Sequence, residues 1–254
     1  MSLDCAYKFD ATANEWRPVP AGSTAGGVDV SALPSLRLAT FNVLADCFPP
    51  AVEVMISSEQ RIPALVKAIE DNDGTVVGLN EVTGNILGHL LASPFIRANY
   101  FVSEIDTTGG KKSKLGKHGC VLLSKLPMEC VYSFRSTDHP LCRRVVTGLF
   151  RTEDGTAFAI AAQHTQAYQT EDNFQIRRQQ IRSAVATIKA VVREHGSLSG
   201  AEPVVLMGDL NLHYICEDSL ILENGMCDAW AETRHDPTTG AIEDGFTYDS
   251  KTNG

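Results

Sequence analysis

The sequence lacks the features that mark several specialised classes of protein. It contains no run of about 18 apolar residues, so no segment is predicted to span a membrane. Its first residues, Met1 to Cys5, have neither the basic start nor the apolar stretch of a secretory signal. Seven cysteines are scattered without a Cys-x-x-Cys pair, which favours reduced thiols over a disulfide framework or a zinc site. These absences predict an intracellular protein, cytoplasmic or nuclear.

Positive charge is also in short supply. The chain has 22 lysines and arginines against 31 acidic residues, a formal net charge of −9. A negative overall field repels phosphate and disfavours broad, nonspecific binding of nucleic acid. It still allows a locally basic cleft, or one in which bound divalent cations neutralise the charge. The length of 254 residues and the 43% hydrophobic content suit an ordinary globular protein of one large or two small domains.

From residue 36 onward the chain carries strand and helix patterns. Leu36–Val43 and Thr75–Leu79 are typical of strands, and the helix between them is predicted to have Ser58 as its cap and Pro63 in its first turn. The longest helix pattern runs from Asp172 to His195, and a short buried strand follows it at residues 203–207. Strands without intervening helices, which imply antiparallel sheet, are predicted at 119–123, 129–134, 144–151 and 157–163. Together these patterns predict an α+β sandwich with sheets inside and helices outside.

Two segments are predicted to lie outside this framework. Residues 1–35, rich in Gly, Ser, Ala and Pro, predict an N-terminal extension with a hairpin around Ala11–Asn14 and a linker at 21–30. The domain is therefore expected to span residues 36–254. The loop Gly109–Lys117 carries four lysines and is either a solvated flexible loop or a rim that contacts phosphate.

Four separate strands end in residues that bind cations or phosphates. Each such residue alone is more often a helix cap, a turn or a surface residue, but several at one sheet edge are hard to explain by folding, because buried polar groups cost free energy unless paired. Oxygen ligands with water suit Mg²⁺ or Mn²⁺. An Asp beside such an ion could orient or deprotonate an attacking water. The residues are Asn42, Glu81, His164, Asp209 and Asn211.

These residues fall within motifs that occur in the order of a known superfamily. The segments are Thr40-Phe41-Asn42-Val43-Leu44, Gly78-Leu79-Asn80-Glu81-Val82, Gly119 to Pro127, Arg144-Val145-Val146-Thr147, Gln163-His164-Thr165, Arg177 with Gln180, and Gly208-Asp209-Leu210-Asn211. The chain resembles the endonuclease/exonuclease/phosphatase superfamily, the group of deoxyribonuclease I, exonuclease III and the 5′-tyrosyl-DNA phosphodiesterases. The resemblance implies a four-layer αββα sandwich of the deoxyribonuclease I-like type, with a single active cleft across the sheet edges.

The resemblance also implies roles for the matching residues. Glu81 would be the principal metal ligand, and Asn42 would hold the metal-site network or a phosphate oxygen. Asp209 would activate or align the water, while Asn211 would stabilise the pentacovalent transition state. The residues that would contact the scissile phosphate are His164 and Arg144, although Arg144 could instead be a sheet-surface residue with Arg143 in its place. Arg177 and Gln180 are expected to be structural.

Three departures from the superfamily pattern bear on function. Asn80 stands where Gln commonly precedes the metal-binding Glu, and Gln166 stands where a second His often occurs. The Arg-x-Asp strand and Ser-Asp-His motif that complete the superfamily's site have no counterpart before Gly254, and His213 is a weak substitute. The chain is therefore expected to be C-terminally truncated and to lack the last strand.

The function expected from these features is Mg²⁺-dependent hydrolysis of a phosphodiester in nucleic acid. Thr247–Asn253 is similar to the 5′-tyrosyl-DNA phosphodiesterase branch, whereas Asn42–Asp46 is closer to the deadenylase branch. Two alternatives stay open: a non-catalytic relative that binds nucleic acid or protein, and a phosphodiesterase or phosphatase for sphingolipid or inositol phosphate. A monomer is favoured.

Overall fold

The structure is a computed structural model that describes residues 1–20, 27, 36–110, 112–137, 143–196, 202–212, 217–234 and 239. In chain order its elements are β1 (Ser2–Asp4), β2 (Ala6–Asp10), β3 (Glu15–Val19), β4 (Leu38–Asn42), α1 (Pro50–Ile56), α2 (Ser58–Asn72), β5 (Val76–Val82), α3 (Gly84–Ala92), α4 (Pro94–Asn99), β6 (Phe101–Val102), β7 (Gly119–Ser124), β8 (Cys130–Arg135), β9 (Arg144–Arg151), β10 (Ala157–His164), α5 (Glu171–Glu194), β11 (Val204–Asp209), α6 (Asp218–Glu223) and α7 (Ala229–Thr233). The chain divides into two compact units, Met1–Asn211 and Leu212–Gly254. The second unit contains α6 and α7, and Asp228 caps α7 by accepting hydrogen bonds from Trp230 and Ala231.

The first unit contains two mixed β-sheets. Sheet A has the strand order β1-β8-β9-β10-β11, and sheet B has the order β3-β2-β6-β7-β5-β4. Most neighbouring strands are antiparallel, but β10 with β11 and β4 with β5 are parallel pairs. Parallel strands end at the same edge of a sheet, so the residues that close each pair are brought side by side. His164 is thus in register with Asp209, and Asn42 with Asn80.

Three apolar layers hold the sheets and helices together. Alternate residues of a strand point to opposite faces, and in β5 the neighbours Val76 and Val77 accordingly belong to different layers. Val77 packs with the helices α2 and α3, whereas Val76 packs between the two sheets with Ile160 of β10. The outer face of sheet A packs on α5 through residues such as Ile188. The layer order of helices, sheet B, sheet A and α5 confirms the predicted four-layer α+β sandwich.

Local sequence signals account for the helix boundaries. The side chains of Thr83, Ser93 and Thr170 accept hydrogen bonds from the first turns of α3, α4 and α5, as N-cap residues do. Helix α5 ends before Gly196, whose φ of +89° suits glycine. Among the described residues, no helix combines the length and apolar character needed to cross a membrane.

The N-terminal residues differ from the expectation of an extension. β1 pairs with β8 in sheet A, and the hairpin of β2 and β3 extends sheet B. The predicted turn at Ala11–Asn14 is confirmed as the turn of this hairpin. These short strands gain their stability from partners far along the chain, which local composition does not reveal. Most of the predicted linker lies outside the described residues.

Smaller differences concern the first helices. Pro63 lies inside α2 and not in its first turn, because the helix begins at Ser58. α1 and α4 were not predicted; α1 has no buried residue and so lacks the one-sided apolar pattern that identifies a packed helix. The segment Thr247–Asn253 and His213 lie outside the described residues.

Candidate active site

The ends of β4 and β5 on sheet B meet the ends of β10 and β11 on sheet A. At this junction the side-chain amide of Asn42 donates to Asp209 Oδ2 at 2.8 Å and to Glu81 Oε1 at 3.3 Å. Its own oxygen accepts from the backbone N–H of Leu44 at 3.0 Å. One amide therefore bridges two carboxylates that belong to different sheets, and this favours the first role predicted for Asn42, which is to hold the network.

Asp209 is fixed by its backbone as well as by its side chain. Its N–H donates to Asn80 Oδ1 at 2.9 Å, and its Oδ1 accepts from the N–H of Asn211 at 3.2 Å. Asn80 is fully buried and its amide nitrogen also donates to Cys120 Sγ at 3.2 Å. Sequence analysis identifies Asn80 only as a departure from the superfamily pattern. In the structure it anchors a strand of sheet A to sheet B, beside the two carboxylates.

Glu81 occupies a strained position. The pairing of β5 with β7 shifts register between Leu79 and Val82, and Glu81 has a φ of +62°. Such a β-bulge re-aims a side chain at the edge of a sheet. Burial raises the pKa of Glu81. This effect is outweighed by hydrogen bonds from Ala45 N–H, at 3.0 Å, and from Asn42, and by the neighbouring imidazole of His164, so the net pKa is lowered. The carboxylate is therefore ionised at neutral pH.

His164 lies between the two carboxylates and is almost fully buried. Its Nδ1 is 3.9 Å from Glu81 Oε1, and its Nε2 is 3.8 Å from Asp209 Oδ2, which are too long for hydrogen bonds. Burial, followed by the positive charge of Arg143, lowers the pKa of His164 to about 4 against the opposing effect of both carboxylates. The imidazole is consequently neutral at pH 7, and its Nδ1 is buried without a hydrogen-bond partner among the described residues.

Asn211 completes the group predicted from the strand ends. It has a φ of +48°, in the left-handed region that Asn tolerates best among side-chain-bearing residues, and its amide nitrogen is 3.4 Å from the carbonyl oxygen of Thr165. Thr165 in turn donates its N–H to the carbonyl of Asp209 at 3.0 Å and its hydroxyl to that of Leu210. The turn after β11 is therefore held by the residue that follows His164.

Helix α5 supports the loop that follows β10. Gln180 Oε1 accepts from the N–H of Gln166 at 2.9 Å, and the buried Arg177 guanidinium donates to the carbonyls of Gln166 and Tyr168 at 3.1 and 2.8 Å. These contacts fix the loop after β10. They agree with the expected structural role of Arg177 and Gln180.

Arg144 lines a small cavity together with Asp4, Glu104 and Lys114. The positive charge that acts on His164 is that of Arg143. Arg143 lies just before β9, and its charge acts on His164, which favours the alternative assignment of the phosphate contact to Arg143. The assignment to Arg144 stays a prediction.

A second histidine, which sequence analysis does not identify, lies beside the cluster. The ring centroid of His118 is 6.5 Å from that of His164, with an interplanar angle of 43°. Burial, and then the charge of Arg143, lowers the pKa of His118, whereas Glu81 raises it. The only available sequence signal was its position directly before the strand pattern that begins at Gly119.

The carboxylate oxygens of the site are of the kind that hard divalent ions bind. Among the described residues, no group of three or more His, Cys, Asp or Glu side chains is arranged to hold a metal ion. Mg²⁺ is commonly held by one or two carboxylates, with water and substrate phosphate supplying the other oxygens. Glu81 is ionised and accepts one hydrogen bond at each oxygen, so lone pairs remain on its carboxylate. The residues therefore fit Mg²⁺ or Mn²⁺.

Several solved structures share the fold at low sequence identity. A β-hairpin deletion mutant of beta toxin from Staphylococcus aureus aligns over 76% of this chain and 74% of its own, with a TM-score of 0.56 and 17% identity. TDP2 from C. elegans aligns with a TM-score of 0.52 and 15% identity over 70% of this chain, but over only 48% of its own. The mannosyl-6-phosphatase Bt3783 of Bacteroides thetaiotaomicron gives 0.53 and 16% over 74% and 71%.

Sequence comparison gives the family. No curated protein shows significant similarity to the chain. Residues 39–253, however, match the Endonuclease/Exonuclease/phosphatase family, and this range contains all five residues predicted from the strand ends. The match covers most of the sequence and accords with the fold, so the chain belongs to the Endonuclease/Exonuclease/phosphatase family.

Proposed function

We propose that the protein is a Mg²⁺-dependent phosphodiesterase that hydrolyses a phosphoester bond in nucleic acid by direct attack of water. Family membership supports phosphoester hydrolysis as the general chemistry. The observation that carries the proposal is the bridging of Glu81 and Asp209 by the amide of Asn42, beside a buried neutral imidazole. This arrangement collects a cation ligand, a base and a hydrogen-bond donor in one place.

Asp209 is the residue that aligns the attacking water and accepts its proton. Each of its carboxylate oxygens receives one hydrogen bond, from Asn42 and from the N–H of Asn211. Two donors from two directions hold the carboxylate in a single orientation, and a positioned base contributes about 10²- to 10⁴-fold to a rate. Asn211, next in the turn, offers its amide to the oxygens of the transition state.

Glu81, with Asn42 holding its carboxylate in place, would bind the divalent cation. When bound, such an ion offsets negative charge on a phosphoryl oxygen. The positive φ of Glu81 supports this role, because strained backbone is retained mainly where function requires a particular side-chain direction.

His164 and Arg143 would contact the phosphate itself. A neutral imidazole carries one N–H donor, which suits a phosphate oxygen. The charge of Arg143 already acts on both histidines of the site, and guanidinium groups bind phosphate oxygens strongly. Both side chains therefore support binding of an anionic group between the two sheets.

The lysines of the loop Gly109–Lys117 support a substrate with more than one phosphate. Lys112 and Lys117 are exposed, and Lys117 is close enough to act on the ionisation of Cys47 and His118. A chain with a net charge of −9 thus carries a local basic rim beside its carboxylates. A nucleic-acid strand, which has a regular series of phosphates, matches this arrangement.

The proposal is tested by hydrolysis assays with Mg²⁺ or Mn²⁺ and a panel of substrates: a single-stranded oligonucleotide, a 5′-phosphotyrosyl oligonucleotide, sphingomyelin and an inositol phosphate. Asp209→Asn and Glu81→Ala are expected to lower kcat by about 10²- to 10⁴-fold. Asp71→Asn is the matched control, because Asp71 is an exposed carboxylate on α2 paired with Lys67.

Each result has a definite meaning for the proposal. Absence of hydrolysis of any substrate by the parent protein, with oligonucleotide binding retained in calorimetry, would identify a non-catalytic binding protein. Turnover of sphingomyelin or the inositol phosphate alone would replace nucleic acid as the substrate. Full activity of Asp209→Asn would remove the proposed base.

A further inference from the structure

His118 is placed at the active edge by strand alternation. In β7 the side chains of Cys120 and Leu122 face the space between the two sheets. His118 lies two residues before Cys120, so its side chain is directed to the same face. Gly119 pairs with Val82, the residue after Glu81. His118 therefore enters the site from the strand next to the one that carries Glu81.

The charges around His118 and an unpaired nitrogen of its ring suit the binding of an anion. Its ring faces that of His164 at 6.5 Å, and the charges of Arg143, Lys117 and Glu81 all act on it. Its Nδ1 is buried and has no hydrogen-bond partner among the described residues, as is also true of Nδ1 of His164. Two adjacent imidazoles with unpaired buried nitrogens are costly in a folded protein.

A single phosphate group has enough acceptor oxygens to form hydrogen bonds with both imidazoles. We propose that His118 is a further substrate-contacting residue, which donates a hydrogen bond to an oxygen of the same phosphoryl group that His164 contacts. A phosphoryl group has several acceptor oxygens, so two histidines and Arg143 can bind it without competing. The catalytic consequence rests on the proposed function, whereas phosphate binding by His118 does not.

The kinetic test uses substitutions at His118. His118→Ala is expected to lower kcat/KM for the oligonucleotide by about 10- to 100-fold, the effect of one hydrogen bond to a charged group. His118→Asn, which keeps an N–H donor near the position of Nδ1, is expected to recover part of this loss. His89→Ala is the matched control, because His89 is an exposed histidine on α3, and it is expected to stay within twofold of the parent protein.

The binding test uses the unsubstituted protein and does not require turnover. Inorganic phosphate is added to protein labelled with ¹⁵N in its histidines, and the ring signals of His118 are assigned by their absence in His118→Asn. A saturable shift of these signals is expected. Unmoved signals at high phosphate, or kcat/KM of His118→Ala within twofold of the parent, would overturn the proposal. If the parent protein hydrolyses nothing, the proposed function fails, and the phosphate titration still decides the role of His118.

Discussion

Replacement of Asn80 should show how strongly the rate depends on the position of Asp209, because the Asp209 carboxylate itself is kept. Asn80 touches no solvent and links the backbone N–H of Asp209, on sheet A, to the thiol of Cys120, on sheet B. Asn80→Leu keeps a similar side-chain volume and removes both hydrogen bonds. The carboxylate of Asp209 is retained, but its anchor to the neighbouring sheet is lost.

The expected magnitude follows from these two contacts. A buried N–H left without a partner costs about 1–3 kcal/mol, and the hydrogen bond to sulfur adds less. The free energy of unfolding should therefore fall by about 2 kcal/mol. A displacement of a catalytic group by about 1 Å can cost on the order of 10²-fold in rate, so kcat should fall by about 100-fold even where the variant is fully folded.

Urea unfolding and steady-state kinetics on the same preparations measure the two effects. Asn80→Gln, which keeps the amide but adds one methylene, should retain more activity than Asn80→Leu. Asn99→Leu is the control, because Asn99 is exposed on α4 and donates a hydrogen bond within its own helix, to the carbonyl of Phe95. If Asn80→Leu loses stability but keeps the kcat of the parent, Asn80 supports the fold alone and does not position Asp209.

Two other predictions concern stability. The pKa of His164 is about 4 in the folded protein, against an ordinary value of 6.5. Between pH 4 and pH 6.5 the unfolded chain therefore binds a proton that the folded chain does not. The free energy of unfolding should increase by about 3 kcal/mol over this range as the pH rises. Urea titrations should show a flatter pH dependence for His164→Gln, and parallel curves for the two proteins would contradict the assignment. Gly208→Ala should abolish activity and lower the unfolding temperature sharply, because a Cβ at Gly208 would lie 1.9 Å from the carbonyl oxygen of Gln163. At Gly155 φ is also positive, but an added Cβ would have no atom within 4 Å, so Gly155→Ala should cost about 1–2 kcal/mol. Equal losses for the two variants would show that the φ angle alone is responsible.

The sequence predicts the elements whose signals are local. The strand at Arg144–Arg151 has the predicted bounds, and the long helix begins and ends within one residue of its predicted ends, because apolar periodicity and the glycine that follows the helix are local signals. The same reasoning brings the ends of β4 and β5 together in sheet B and the ends of β10 and β11 together in sheet A, since parallel neighbours end on the same side of a sheet.

Contacts made between distant segments were not predictable in this way. The pairing of Ser2–Asp4 with Val131–Ser133 depends on a partner more than a hundred residues away. Arg143 and His118 each lie one residue before a strand. For this reason Arg143 entered the sequence analysis only as an alternative to Arg144, and His118 was not identified. The link from Asn80 to Asp209 joins two sheets, and the relative placement of sheets is a property of core packing that a single sequence does not display.

The close approach of the two sheets is what makes the site possible. A Cβ at Gly78 would lie 2.9 Å from Cε of Met207 and 3.3 Å from Cβ of Ala162, so glycine at position 78 lets these side chains of sheet A pack closely against sheet B. Gly78 lies three residues before Glu81, and Met207 lies two residues before Asp209. Since the amide of Asn42 can span the two carboxylates only when the sheets are this close, a larger residue at position 78 should push them apart at the point where the bridge forms. The small residue in the core and the polar bridge at its edge are therefore parts of one arrangement, in which packing between the sheets sets the distance between the proposed metal ligand and the proposed base.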